Sequence, residues 1–233
     1  MMTTTTMTTS PTTSPVQLRG PLDLRLSRWL WLVKMVLAIP HFVILAILGG
    51  VLLLVTLAAG IAILVTGRFP RPLFDFTVGV LRWNWRVGFY VYAALGTDRY
   101  RPCTLRDADY PARFDVEFPV HLSRGLVLVK WMLALPHVAI VIVVMADILT
   151  FVRPADGSAS GAFSIINLLA VIAGFFLLTT GRYPRPLFEL LMGLNRWIYR
   201  VLAYVAFMTD EYPPFRLDTG RDEPSSAAAD REA

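Results

Sequence analysis

From Met35 to Val65 the chain carries no Asp, Glu, Lys or Arg. As a helix this stretch would be about 46 Å long, against a bilayer hydrocarbon core of about 30 Å. One perpendicular crossing cannot use it all. The spacing therefore predicts two spans, about 29–48 and about 51–66, with a tight turn at Gly49-Gly50.

The rest of the composition agrees with a membrane setting. The 233 residues are 55% apolar, above the usual range for a soluble domain. Residues 1–23 are rich in Thr, Ser and Pro with few bulky apolar side chains, and are expected to form a disordered tail. The first apolar run begins too late and lasts too long for a cleaved signal, so it is expected to stay as an anchor. Cys103 is the sole cysteine, which excludes an internal disulfide and any cysteine-based metal cluster. The formal charge of +5 comes from basic residues interleaved with Trp and apolar runs, a pattern that suits anionic lipid headgroups rather than nucleic acid.

The chain repeats itself. VKMVLAIPH (Val33–His41) returns as VKWMLALPH (Val129–His137), and TGRFPRPLF (Thr66–Phe74) as TGRYPRPLF (Thr180–Phe188). Arg82, Trp83 and Arg86 correspond to Arg196, Trp197 and Arg200, and Thr97-Asp98-x-Tyr100 to Thr209-Asp210-x-Tyr212. The second copy is longer between its first two landmarks, at VRPADGSASGA, a turn-forming stretch that lipid-exposed backbone could not adopt. The expected organisation is all-α: repeat 1 over 24–105, a linker over 106–123, repeat 2 over 124–217 with spans about 126–151 and 162–180, and a disordered tail over 218–233. Each repeat ends in a third helix, about 72–96 and about 186–208.

That third helix is close to break-even for insertion, since two mid-span arginines cost about 5–7 kcal/mol and its apolar residues return roughly 3–6 kcal/mol. Charge asymmetry favours leaving it at the interface. With four spans, only Arg153 of the 22 Lys and Arg lies on the far side, so both termini are expected in the cytoplasm. The six tryptophans all fall within three residues of Arg or Lys, as interfacial anchors do. Gly67 and Gly181 can adopt the left-handed conformation that stops a helix, and Pro72 and Pro186 suit the first turn of the next. On that next helix Asp75, Gly79, Arg82 and Arg86 form one stripe, opposed by Phe74, Val78, Leu81, Trp85 and Phe89; Glu189, Gly193, Arg196 and Arg200 repeat the stripe. Such an amphipathic helix is expected to lie in the interface.

The run Gly-Arg-aromatic-Pro-x-x-Leu-Phe, then Leu-Arg-Trp-x-x-Arg-Val, then Thr-Asp-Glu-Tyr-Pro-Pro-Phe resembles the bacterial membrane family called domain of unknown function 4389, present twice and covering most of residues 24–217. The second copy keeps Thr209-Asp210-Glu211-Tyr212-Pro213-Pro214-Phe215, while the first departs to Thr97-Asp98-Arg99-Tyr100-Arg101-Pro102. The resemblance implies the membrane fold, a bacterial cytoplasmic membrane and the repeat boundaries. It implies no activity.

Candidate residues fall into two sets. Arg68, Arg71, Arg82 and Arg86, with Arg182, Arg185, Arg196 and Arg200, could cradle anionic headgroups or serve only as topology signals. Lys34 with His41, and Lys130 with His137, lie seven residues apart on one helix face. Ionisable groups at that depth suggest a polar, proton or lipid site; the alternative is lysines that snorkel and histidines that bond carbonyls freed by Pro40 and Pro136. Tyr212-Pro213-Pro214-Phe215 reads as a docking motif or a stiff turn. No catalytic constellation, cofactor motif or metal-ligand spacing is present; Gly157-Ser158-Ala159-Ser160-Gly161 has Ala where a nucleophile elbow needs its nucleophile. The function expected is a non-enzymatic membrane accessory or scaffold that binds lipid headgroups, a protein partner or a second copy. The alternatives are a small transporter or channel with a midplane site at His41 and His137, and an intramembrane lipid-modifying enzyme.

Overall fold

The computed structural model describes residues 14–23, 26–27, 29–91, 93–100, 102, 104–144 and 165–217. In chain order they form strand β1 (Val16–Arg19), helices α1 (Leu30–Thr66) and α2 (Arg71–Val91), strand β2 (Arg113–Val116), and helices α3 (Arg124–Val144), α4 (Ile165–Thr180) and α5 (Arg185–Val205). The fold is mostly helical, and α2 and α5 begin where the repeated Pro-Leu-Phe phrase put them. The insertion at 153–161, Cys103 and the segments 1–13 and 218–233 lie outside the described residues.

The expected turn at Gly49-Gly50 is absent. α1 runs unbroken through both glycines for 37 residues, about 55 Å of helix. Glycine inside a helix costs about 1 kcal/mol relative to alanine, yet it removes no backbone hydrogen bond. Opening the helix in apolar surroundings would strand several such groups at greater cost. The real stops are Gly67 and Gly181, at φ 72° and 69°. The Gly67 N–H bonds the Ile63 carbonyl at 2.7 Å and the Gly181 N–H bonds Leu177 at 2.9 Å. Replacing Gly67 with Ala should lower stability by roughly 1–2 kcal/mol, the cost of a left-handed L-residue, read from thermal unfolding in detergent; Gly49→Ala should have no such cost.

The all-α expectation also needs correction. β1 and β2 pair antiparallel, with Val16 opposite Val116 and Leu18 opposite Phe114. Residues 16–19, expected in a disordered tail, are strand because VQLR alternates apolar and polar side chains. Val16 and Leu18 are buried with Phe114 and Val116 in the main core. A strand this short is legible only once its partner across the ribbon is known.

α2 and α5 are mostly buried, so neither behaves as a helix lying half in lipid. Phe74, Val78, Leu81, Trp85 and Phe89, expected as the apolar face of an interfacial helix, pack into the protein core instead. The two helices meet across the repeats: Asn84 donates to the Tyr199 hydroxyl at 3.1 Å, Asn195 to the Ala93 carbonyl at 3.1 Å and Tyr183 to the Ala94 carbonyl at 2.8 Å. Burial raises the Tyr183 pKa, which keeps that phenol a donor. The ribbon covers the opposite side, with the Trp85 indole N–H on the Arg19 carbonyl at 3.1 Å. Three of the expected interfacial tryptophans, Trp83, Trp85 and Trp197, are thus core residues; Trp29 and Trp131 remain exposed.

By length and composition Val36–Thr66 of α1 and Arg124–Ile142 of α3 could each cross a bilayer, and α4 is a shorter apolar helix. Little of either long stretch is buried, 11% and 22% respectively.

Candidate functional site

Two turns of helix separate Lys34 from His41 and Lys130 from His137, so each pair shares a helix face. In both repeats that face points inward. The Lys34 ammonium donates to the Thr97 carbonyl at 2.7 Å and the Asp98 carboxylate at 2.5 Å. Lys130 repeats this on Thr209 and Asp210 at 2.7 and 2.8 Å. The second oxygen of each Asp accepts a backbone N–H ahead of the helix, from Ser27 at 2.5 Å and Ser123 at 2.8 Å. Each ammonium also stands 4.9 Å from a tyrosine ring, Tyr90 or Tyr204. A buried ammonium persists only when paired and hydrogen-bonded, and here one carboxylate, one carbonyl and one aromatic face meet that need. The lysines do not snorkel. The Thr-Asp phrase is a clasp that closes the end of each repeat on the start of its first long helix.

The histidines occupy separate aromatic pockets, one per repeat. His137 is fully buried, its Nε2 3.0 Å from the Pro213 carbonyl and its Nδ1 3.1 Å from the Tyr212 hydroxyl. A carbonyl only accepts, so Nε2 carries the proton, and the neutral ring then accepts from Tyr212 at Nδ1. Phe215 stacks on the ring at 3.9 Å, with Trp197 at 5.8 Å. The carbonyl belongs to the C-terminal strap rather than to the turn freed by Pro136, and Tyr212-Pro213-Pro214-Phe215 is docked within its own chain. His41 lies edge-on to Trp83 at 6.4 Å and Tyr100 at 6.1 Å.

The eight candidate arginines separate into two groups. Four hold the chain together. Arg82 Nε donates to the Phe114 carbonyl at 2.9 Å, and Arg86 Nη1 to the Thr104 and Arg106 carbonyls at 3.1 and 3.0 Å. Arg196 reaches Leu18 and Arg200 reaches Arg216, each at 3.4 Å. Burial, then the neighbouring charge of Arg82, lowers the Arg86 pKa, while Asp107 opposes the shift. Arg68, Arg71, Arg182 and Arg185, in the two Gly-Arg-aromatic-Pro-Arg turns, are exposed. The glycines of the arginine stripe serve the same straps: a Cβ on Gly79 would stand 3.1 Å from the Leu105 carbonyl, and one on Gly193 2.7 Å from that of Leu217.

The partners Asp98 and Asp210 were visible in the sequence as a repeated Thr-Asp-x-Tyr phrase, but nothing in their spacing tied them to lysines more than sixty residues earlier. Among the described residues no three His, Cys, Asp or Glu side chains gather as a metal site.

The same clasp in both halves makes this a duplicated unit, and a family model described as Domain of unknown function (DUF4389) matches residues 28–100 and 159–216. The chain belongs to this family. The first DUF4389 segment takes in α1, α2 and the Lys34–Asp98 clasp, and the second takes in α4, α5 and Asp210. α3 lies outside the second segment; its place in that repeat rests on VKWMLALPH and on the Lys130–Asp210 pair. No curated protein and no solved structure matches the chain.

Proposed function

We propose that the protein is a multi-pass membrane scaffold or accessory of the bacterial cytoplasmic membrane, without catalytic chemistry of its own, whose exposed basic residues engage anionic headgroups on the cytoplasmic face. One observation carries this reading: the burial pattern of the long helices is inside-out. Lys34, His41, Lys130 and His137 are buried, while Val36, Leu54 and Val65 are 65%, 66% and 70% exposed. In water so continuous an apolar surface would be a severe liability. In a bilayer it is the ordinary outer face of a helix, with charged groups turned to the protein interior.

The ribbon supports placing the N-terminal flank and the linker together. β1 precedes α1, β2 follows α2, and the two strands are hydrogen-bonded, so the N-terminal flank and the linker share one face. Positive charge on this layer favours the cytoplasm.

Labelling of Cys103 tests the placement. A membrane-impermeant maleimide should leave it unmodified in intact cells and modify it after permeabilisation. Modification in intact cells would put the linker outside and overturn the reading.

A further inference from the structure

We propose that Arg68, Arg71 and Arg124 form one site for the phosphate of an anionic phospholipid, built at the junction of the two repeats. The inference rests on the membrane reading above and adds to it a particular ligand and a residue, Arg124, from outside the repeated turn.

The corner is assembled from two distant segments. The Gly67 carbonyl accepts the Leu122 N–H at 3.2 Å, which brings the end of α1 to the start of α3. The Arg124 side chain then lies against the turn: a Cβ on Gly67 would stand 3.3 Å from its Nε and 3.8 Å from its Nη2. Glycine at this position therefore serves two ends, the left-handed stop and the close approach of a guanidinium. Arg68 follows directly, its backbone held by the Thr66 hydroxyl at 3.2 Å. Arg71 opens α2 with its guanidinium 4.5 Å from the centre of the Phe118 ring. Its Nε is 3.3 Å from the exposed Asp75 carboxylate, which answers one of the three charges. Arg68 and Arg124 are likewise exposed, in contrast to the four arginines spent on internal carbonyls.

The surroundings choose the ligand. Planar guanidinium groups suit phosphate oxygens, and a soluble phosphate would ask no more than that. Here, however, the corner lies where the apolar helices end. Val65 next to the turn, and Val120 and Leu128 flanking Arg124, are 70%, 75% and 71% exposed. Basic groups bordering an apolar band match a molecule with a phosphate at one end and acyl chains at the other.

The test uses the full chain reconstituted in mixed phosphatidylcholine–phosphatidylglycerol vesicles and re-extracted in mild detergent, with native mass spectrometry counting phosphatidylglycerol carried per chain. The double variant Arg68→Gln/Arg124→Gln should retain it at least roughly tenfold less well than the wild type. A charge-matched control at exposed arginines elsewhere, Arg99→Gln/Arg113→Gln, should retain it as the wild type does. Should the double variant melt early, Arg68→Gln alone gives the same reading through an intermediate loss. Unchanged retention in the Arg68 and Arg124 variants, equal loss in the control, or displacement of the lipid by inorganic phosphate would each overturn the proposal. Carbonate extraction of the wild type separates this from the broader reading: release from membranes defeats the membrane assignment itself, whereas firm retention with unaffected lipid binding defeats only this site.

Discussion

Asp210→Asn should lower stability by about 3–5 kcal/mol, the usual cost of leaving one half of a buried ion pair behind. Lys130 is fully buried, and in the variant its ammonium keeps the Thr209 carbonyl but loses the only carboxylate that its ion pair supplies. The Ser123 N–H at the head of α3 loses a charged acceptor as well. Asp98→Asn should act in the same direction through Lys34 and Ser27. The double variant Lys130→Met/Asp210→Asn separates pairing from packing, because replacing both charges is often nearly neutral. Unfolding midpoints in detergent for the two single variants and the double close that cycle. A double variant as unstable as Asp210→Asn would mean that the cost lies in the Ser123 contact rather than in the stranded ammonium.

Phe89→Ala should cost about 3–5 kcal/mol by the same measurement, as large-to-small changes in a closed core do. The ring is fully buried and packs against Trp85 at 5.4 Å and, across the repeat boundary, Phe188 at 6.4 Å. Gly20 and Gly96 lie so close to it that a Cβ on either would overlap the ring. One side chain thus joins α2, α5, the chain after β1 and the loop leading to the Thr97-Asp98 clasp. Glycines line the near side of the cavity left by its loss. Gly96→Ala should also destabilise, by overpacking. A Phe89→Ala protein that melts like the wild type would show that the two repeats hold together without this contact.

The histidines and lysines show how far sequence reasoning reaches at a site. Their seven-residue spacing, their repetition and the one helix face each pair shares were all plain. Their partners were not. Lys34 meets Asp98 and Lys130 meets Asp210 only because α2 packs back along α1 and α5 packs back along α3. The arginine stripe is a similar case. Periodicity placed Arg82, Arg86, Arg196 and Arg200 correctly on one face, but whether that face met lipid, water or protein depended on β1 and the two straps, none of which periodicity within the helix can register.

Local chemistry was settled by the sequence itself. The left-handed stops at Gly67 and Gly181, the proline-led starts of α2 and α5 and the duplication all follow from residue type and spacing, which short-range sterics translate directly. Tertiary structure alone decided what covers each face. It drew Val16–Arg19 out of a polar tail, because a four-residue strand gains its stability from the opposite strand and the core beneath. Burial is a property of neighbours, and those neighbours lie far away along the chain.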